Sequence, residues 1–357
     1  MVANYRGIPP NPLPPIILDA RHLNNDVMIE NRVLDPVAID RSVAVRRVGF
    51  ILVTNFSLIA YASAVEALRH ANYVGDRPVF EFSTYSIDGE AVMASNGMYL
   101  QVGAPLEDVG KLDMIFVCSG LDVQQHTDGG ILKHLRRLST HGTQVGAVCT
   151  GAYILAKAGL LNGYRCTIHW ENLSSFAEEF PDIEIIAELY EVDRTRYTCA
   201  GGTAAIDMML HLITSHAGHK VAAAAADQMI HHRIREGSEG QRMALRARLG
   251  VSHPKLLAVI SEMEENLEAP LNCGDLASNV GLSTRQLERL FRKYMDQAPT
   301  RYYLKLRLDR ARYMLLQTSM PILDVALACG FVSASHFSKC YREYFKRTPS
   351  EERRVVL

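Results

Sequence analysis

The chain has 357 residues, of which 48 % are hydrophobic and 22 % charged, a balance that suits a globular protein of two domains. No apolar run reaches the ~18 residues of a membrane span, and the first residues lack the basic stretch and apolar core of a signal peptide, so the expectation is a cytoplasmic protein. Seven cysteines stand singly, without CxxC or metal-ligand spacing, as reduced thiols do.

The net charge of −1 conceals an asymmetry. From Ser283 onward there are 15 Lys+Arg against 7 Asp+Glu, a local +8. A basic end on a near-neutral protein points to an anionic partner confined to that end.

Residues 1–45 hold "IPPNPLPPI" and little periodicity, and read as an extended N-terminal arm. From Arg46 strand and helix patterns alternate. "RRVGFILVTN" is a buried strand, "FSLIAYASAVEALRHAN" has helical spacing, and "VFEFSTYSID" alternates as a strand does. "KLDMIFVCSG" and "TQVGAV" are further buried strands. "GGILKHLRRLSTHG", ended by Gly142, and "GAYILAKAGLL" are helices. Then follow the strand and turn "TRYTCAGG", the helix "TAAIDMMLHLITSHAG" and an Ala-rich helix, "KVAAAAADQMIHHRI". Such alternation predicts a doubly wound, mostly parallel, flavodoxin-like α/β domain over 46–235. Residues 236–252 are polar and Gly-containing and read as a linker.

From His253 only helical patterns remain, predicting an all-α domain over 253–357. Two stretches in it are related: "DLASNVGLSTRQLERLF" and "DVALACGFVSASHFSKCY". Their offset is 49 residues at Ala277/Ala326 and Gly281/Gly330, and 50 at Leu287/Phe337 and Phe291/Tyr341. Each reads as helix, glycine-containing turn, helix. The glycine supplies the positive φ of a tight corner, and the alanine lets the helices approach. Ser283 and Gln286 fit a capping box.

The second helix of the first repeat exposes Thr284, Arg285, Gln286, Arg289, Arg292 and Lys293. The corresponding set in the second repeat is Ser333, Ser335, His336, Lys339 and Arg342. Arg suits guanine edges and phosphates, Gln suits adenine, and small hydroxyls permit close approach. "APTRYYLKLRLDRARYMLLQT" predicts one long helix between them, with a core stripe of Leu304, Leu308, Ala311 and Leu315. It would hold two readers at the separation of successive major-groove segments.

This end resembles the AraC/XylS family of transcription regulators. The resemblance rests on Asp275–Leu276–Ala277, Gly281–Leu282–Ser283, Arg289, Phe291, Pro299, Arg307–Leu308, Gly330–Phe331 and Thr348–Pro349. It implies a bipartite binding domain for double-stranded promoter DNA and, as partner, RNA polymerase. Val332–Ser333–Ala334 departs from the family's frequent Ser-Asp, leaving Ser333 to cap.

"TQVGAV-C-TGAYILAKAGLL" reads as strand, sharp turn, helix, with Cys149 at the turn. Such an elbow exposes a side chain above the carboxyl edge of the sheet, backed by helix amides that favour an anion. Ser119–Gly120, ending the preceding strand, adds an amide at the same edge. A free cysteine is as often a small buried hydrophobe. His169, in "CTIHWEN" beside Trp170, makes a Cys–His dyad conceivable, although a histidine beside a tryptophan is more often structural.

This region resembles the PfpI-like branch of the class I glutamine amidotransferase-like superfamily. The resemblance places its nucleophile, partner histidine and oxyanion glycine at Cys149, His169 and Gly120. The branch's frequent glutamate on the first helix falls at Ala60, so the constellation is incomplete. The two halves together resemble regulators of arginine, glycine betaine or carnitine catabolism, whose former catalytic pocket binds a ligand. That resemblance implies a non-enzymatic, homodimeric activator without cofactor or metal. Its small carboxylate-bearing effector would meet Gly120, Cys149, Thr150, His169 and Trp170, a cationic end facing aromatics such as Trp170. The alternatives are a cysteine-dependent amidase or hydrolase, or a thiol redox sensor, tethered to DNA.

Overall fold

A computed structural model describes residues 35–354. The chain divides into two compact units. The first runs to Cys166 and resumes over Tyr190–Gly237. The second comprises Thr167–Leu189 and everything from Ser238.

The first unit contains β1 (Arg46–Leu52), α1 (Leu58–Val74), β2 (Phe80–Ser86), the short β3 (Val92–Met93), β4 (Tyr99–Leu100) and β5 (Ala104–Pro105), then β6 (Met114–Cys118), α2 (Gly129–Thr140), β7 (Gln144–Val148), α3 (Gly151–Lys157) and β8 (Arg165–Cys166). After an excursion holding α4 (Leu173–Glu179) and β9 (Glu184–Ile185), it resumes with β10 (Tyr190–Asp193), β11 (Arg196–Cys199), α5 (Ala204–Ala217) and α6 (His219–Gln228). A seven-stranded sheet has the order β10-β11-β7-β6-β1-β2-β5, with only β10 antiparallel to its neighbour. The parallel run β2-β1-β6-β7-β11 is the flavodoxin-like order, whose topological switch lies between β1 and β6.

The unbroken apolar runs of β1, β6 and β7 follow from burial on both faces. Met114–Cys118 is buried throughout. The small residues of α1 (Ala60, Ala64, Ala67 and Ala71, all buried) let α5 and α6 pack closely against it.

The Pro-rich "IPPNPLPPI" lies outside the described residues. Val37–Val43 is tied to the first unit. Val37 N–H donates to Val74 O at 2.8 Å, and Arg77 Nη2 donates to Asp40 O at 2.6 Å and Val43 O at 2.7 Å.

Two helices are shorter than their patterns. α3 stops at Lys157 rather than running on through Leu161, because Gly159 takes a φ of 71°. α6 stops at Gln228, because Ile230 enters the left-handed region at φ 55°. His231 is therefore not on a helix surface, as the pattern suggested; it turns back into the first unit. The 236–252 stretch is not wholly irregular either, since it contains α7 (Leu245–Leu249).

The second unit continues with α8 (Pro254–Glu265), α9 (Cys273–Asn279), α10 (Thr284–Met295), α11 (Pro299–Gln317), α12 (Ile322–Ala328), α13 (Ala334–Phe345) and α14 (Pro349–Arg354). It has two apolar cores, both reached by α11. One gathers Leu256, Ile260, Leu276, Leu287 and Phe291 with Tyr302 and Tyr303. The other gathers Val325, Ala326, Phe331, Phe337 and Tyr341 with Leu308, Ala311, Met314 and Leu315. Leu304 of the expected stripe is only partly buried against the second.

Candidate ligand site and nucleic-acid interface

Cys149 adopts φ 60°, a strained value for a residue with a side chain. Its N–H donates to Cys199 O at 3.1 Å, fixing the turn to β11. The surrounding glycines are close-approach positions. A Cβ on Gly151 would lie 2.2 Å from Val117 O, one on Gly120 2.3 Å from Asn55 O, and one on Gly201 2.6 Å from Cys149 Cβ. Thr150 Oγ1 donates to Gly120 O at 2.7 Å, joining the end of β6 to the elbow after β7. Gly120, Cys149 and Thr150 therefore form one continuous piece of the carboxyl edge.

α1 brings no carboxylate to the position of the family's frequent glutamate. Ala60 is buried there, and Glu66 is held instead by Arg69 Nε at 2.6 Å.

Cys118 and Cys199 end the strands on either side of β7, each in register with Val148. Burial raises the Cys118 thiol well above its ordinary range and pushes Cys199 up to about 11, which suits core thiols rather than reactive ones. Cys166 and Cys329 are buried too, whereas Cys273 and Cys340 are half-buried.

Sequence reasoning missed Asn55, a neighbour of Gly120, and His126 beyond it. Asn55, at φ 63°, accepts from Leu121 N–H at 3.1 Å through its carbonyl, and its amide lies 3.3 Å from His126 Nε2. His126 also lines a cavity of about 340 Å³ at the ends of β1 and β2, with Ser86, Asp88 and Thr127. The Thr54–Asn55 step closing the first strand was the available signal. A larger cavity, about 810 Å³, lies at the opposite edge of the sheet, where β1, β6 and β7 begin.

His169 and Trp170 belong to the second unit. The His169 ring lies against Trp170, its Nδ1 is 3.9 Å from Glu171 Oε2, and burial lowers its pKa. The cation over the Trp170 ring is the chain's own Arg242, 4.5 Å from the centroid, with Tyr313 edge-on at 6.2 Å.

Asp207 and His231 meet in the first unit. The Asp207 carboxylate is fully buried, and accepts from His231 Nε2 at 2.9 Å and from Arg235 N, Nε and Nη2 at 2.7, 2.9 and 2.6 Å.

The readers are built as two matching halves. Gly281 and Gly330 take φ 63° and 75° at the corners. Ser283 N–H donates to Gln286 Oε1 at 2.8 Å while Ser283 Oγ accepts from Gln286 N, completing the capping box. Ser333 Oγ accepts from His336 N at 3.2 Å and caps α13. Thr284, Arg285, Gln286, Arg289, Arg292 and Lys293 are exposed on α10, and Ser335, His336, Lys339 and Arg342 on α13, with Ser333 half-buried. With its carbonyl held in the cap, Gln286 offers only its NH2 outward. Arg307 is structural: its guanidinium donates to Cys329 O and Gly330 O and stacks on Phe331.

A doubly wound sheet with a strained cysteine elbow, joined to two capped helix-turn-helix halves on one helix, defines a DNA-binding regulator with an amidotransferase-like domain. The DJ-1/PfpI family model matches residues 46–215, and a helix-turn-helix domain model matches 276–354. The chain is 47 % identical to the HTH-type transcriptional regulator GbdR of Pseudomonas aeruginosa, over 86 % of this chain and 83 % of that one. It is 42 % identical to CdhR of the same species (86 % and 91 %), and 38 % identical to GlxA of Rhizobium meliloti (87 % and 96 %). Among solved structures, an AraC family transcriptional regulator from Pseudomonas putida is 30 % identical, covering 52 % of this chain and 99 % of that one, at TM-score 0.48.

The chain belongs to the AraC-type transcriptional regulators that carry a DJ-1/PfpI domain. It is a DNA-binding regulator, not an enzyme, and promoter DNA is its partner. No helix among the described residues is long and apolar enough to cross a membrane.

Proposed function

We propose that the chain is a cytoplasmic, homodimeric activator of catabolic genes whose first unit binds a small carboxylate-bearing metabolite, an amino acid or a quaternary amine. The observation that carries this reading is the Thr150–Gly120 hydrogen bond beneath the strained Cys149. It holds a ligand-sized edge of backbone amides in place, while Ala60 leaves the cysteine without its catalytic carboxylate. The ligand's carboxylate would meet the amides of Gly120 and of the turn around Cys149–Thr150. The exposed faces of α10 and α13 would enter successive major-groove segments, their arginines and lysines meeting bases and phosphates, and the bound dimer would recruit RNA polymerase.

The test is a thermal-shift screen of the full chain against amino acids and betaines, followed by promoter-affinity titration with any hit. A hit that raises the melting temperature and changes promoter affinity is expected. If no such compound moves either quantity, the sensing role is wrong.

A further inference from the structure

The segment between β8 and β10 contributes no strand to the seven-stranded sheet. The DJ-1/PfpI match spans 46–215, yet Thr167–Leu189 is built into the DNA-reading unit. The chain therefore passes between the units at three places, after Cys166, Leu189 and Gly237, where a plain linker would pass once.

Within the second unit this arm is gripped from two sides. On the linker side, Leu189 N–H donates to Glu239 O at 2.9 Å. Gln241 Nε2 donates to Thr167 Oγ1, Ile168 O and Glu188 O, each at 2.9 Å. On the helix side, Ser175 Oγ donates to Gln317 Oε1 at 2.7 Å and Tyr313 OH donates to Glu171 Oε1 at 3.2 Å, as α4 packs on α11. Trp170 joins the two sides, its ring clamped by Arg242 from the linker and Tyr313 from α11. α11 is the one helix that enters both apolar cores behind the readers, so whatever shifts the arm acts on both at once.

We propose that Thr167–Leu189 is the transmission arm of the regulator, carrying the state of the α/β unit to α11 through Trp170, Glu171 and α4. Its physiological input rests on the effector reading above, but the coupling is testable without an effector, because coupling between sites is reciprocal. DNA bound at the readers must then be felt at the Cys149 elbow.

The experiment uses the full chain and a duplex selected by the wild-type protein from a random library. It follows the emission of Trp170, the single tryptophan, and amide hydrogen exchange. In the wild type, the duplex is expected to shift Trp170 emission and to change exchange in 167–189 and around Cys149 by about fivefold or more. In Tyr313→Leu and Arg242→Gln, each of which removes one side of the clamp and keeps an aliphatic or polar side chain in its place, the exchange response should stay on α10 and α13 while the elbow falls silent. Wild-type arm and elbow unmoved by DNA, or clamp variants passing the response undiminished, overturn the proposal. Failure of the effector reading looks different: DNA still reaches the elbow, but no metabolite changes melting or promoter affinity.

Discussion

Arg235 reaches back 28 residues to Asp207 and meets it through three donors, its backbone N–H at 2.7 Å and its guanidinium at 2.9 and 2.6 Å. Asp207 has no solvent contact, whereas a quarter of the Arg235 side chain does. The pair is thus unequal. Arg235→Ala leaves a buried carboxylate with fewer partners and should cost about 3–5 kcal/mol. Asp207→Asn keeps a neutral acceptor, and the freed guanidinium can turn to water, so it should cost less. Urea unfolding of both variants checks the order, and a larger loss in Asp207→Asn would contradict it.

At the elbow, shape is expected to matter more than sulfur chemistry. Cys149→Ser keeps the side-chain size and should leave both melting temperature and promoter affinity close to wild type. Cys149→Val places a β-branched residue at φ 60° and should cost about 1–3 kcal/mol. Thermal melts of the two proteins side by side measure the difference.

The two corner glycines should respond unequally to alanine. Both have positive φ, but around Gly281 the nearest atom to an added Cβ is Lys255 Nζ at 3.7 Å, the end of a mobile chain. A Cβ on Gly330 would meet Leu267 O and Pro270 Cδ at 2.7 Å. Gly281→Ala should cost about 1 kcal/mol and Gly330→Ala about 3 kcal/mol. Equal melting temperatures for the two variants would rule this out.

Lys339 and Arg342 sit exposed on α13, and on the proposed reading they meet phosphates. Replacing either by alanine should weaken binding to all duplexes alike and lower the slope of log affinity against log salt by about one. Arg285→Ala or Arg289→Ala should instead cost about 1–3 kcal/mol on the selected sequence and relax preference at one base position. Fluorescence anisotropy across a salt series separates the two behaviours.

Acid should destabilise the protein through its histidines. Burial lowers His70, His169 and His216 below the ordinary value, so the unfolded chain binds protons that the folded chain refuses. Their contribution is complete above an unfolded pKa of about 6.5 and is lost as pH falls below it. The melting temperature should drop between about pH 7 and 5.5, and His70→Gln should flatten that drop. A melting temperature flat over this range would remove the histidines from the account.

Much of this was readable along the chain because it is local. Unbroken apolar runs marked β1, β6 and β7. Ser283 and Gln286, three residues apart, specified their capping box. The 49–50-residue offset placed the two helix-turn-helix halves, and "TQVGAV-C-TG" placed the elbow. The failures have local causes too. Nothing in "AAAAADQMIHHRI" opposes a helix, since neither Met229 nor Ile230 is a breaker. The helix ends at Gln228, and beyond it His231 and Arg235 bond to the buried Asp207 of α5.

The sequence by itself determined the two fold classes, the elbow, the capped readers and the family, because hydrophobic period, turn glycines and caps act over a few residues. Only the tertiary structure decided that Thr150 braces Gly120, that Asp207 secures Arg235, and that Arg242 occupies the face of Trp170. Those depend on burial and on charges brought together from positions 28 to 72 residues apart, and no local pattern encodes which distant partner completes a contact.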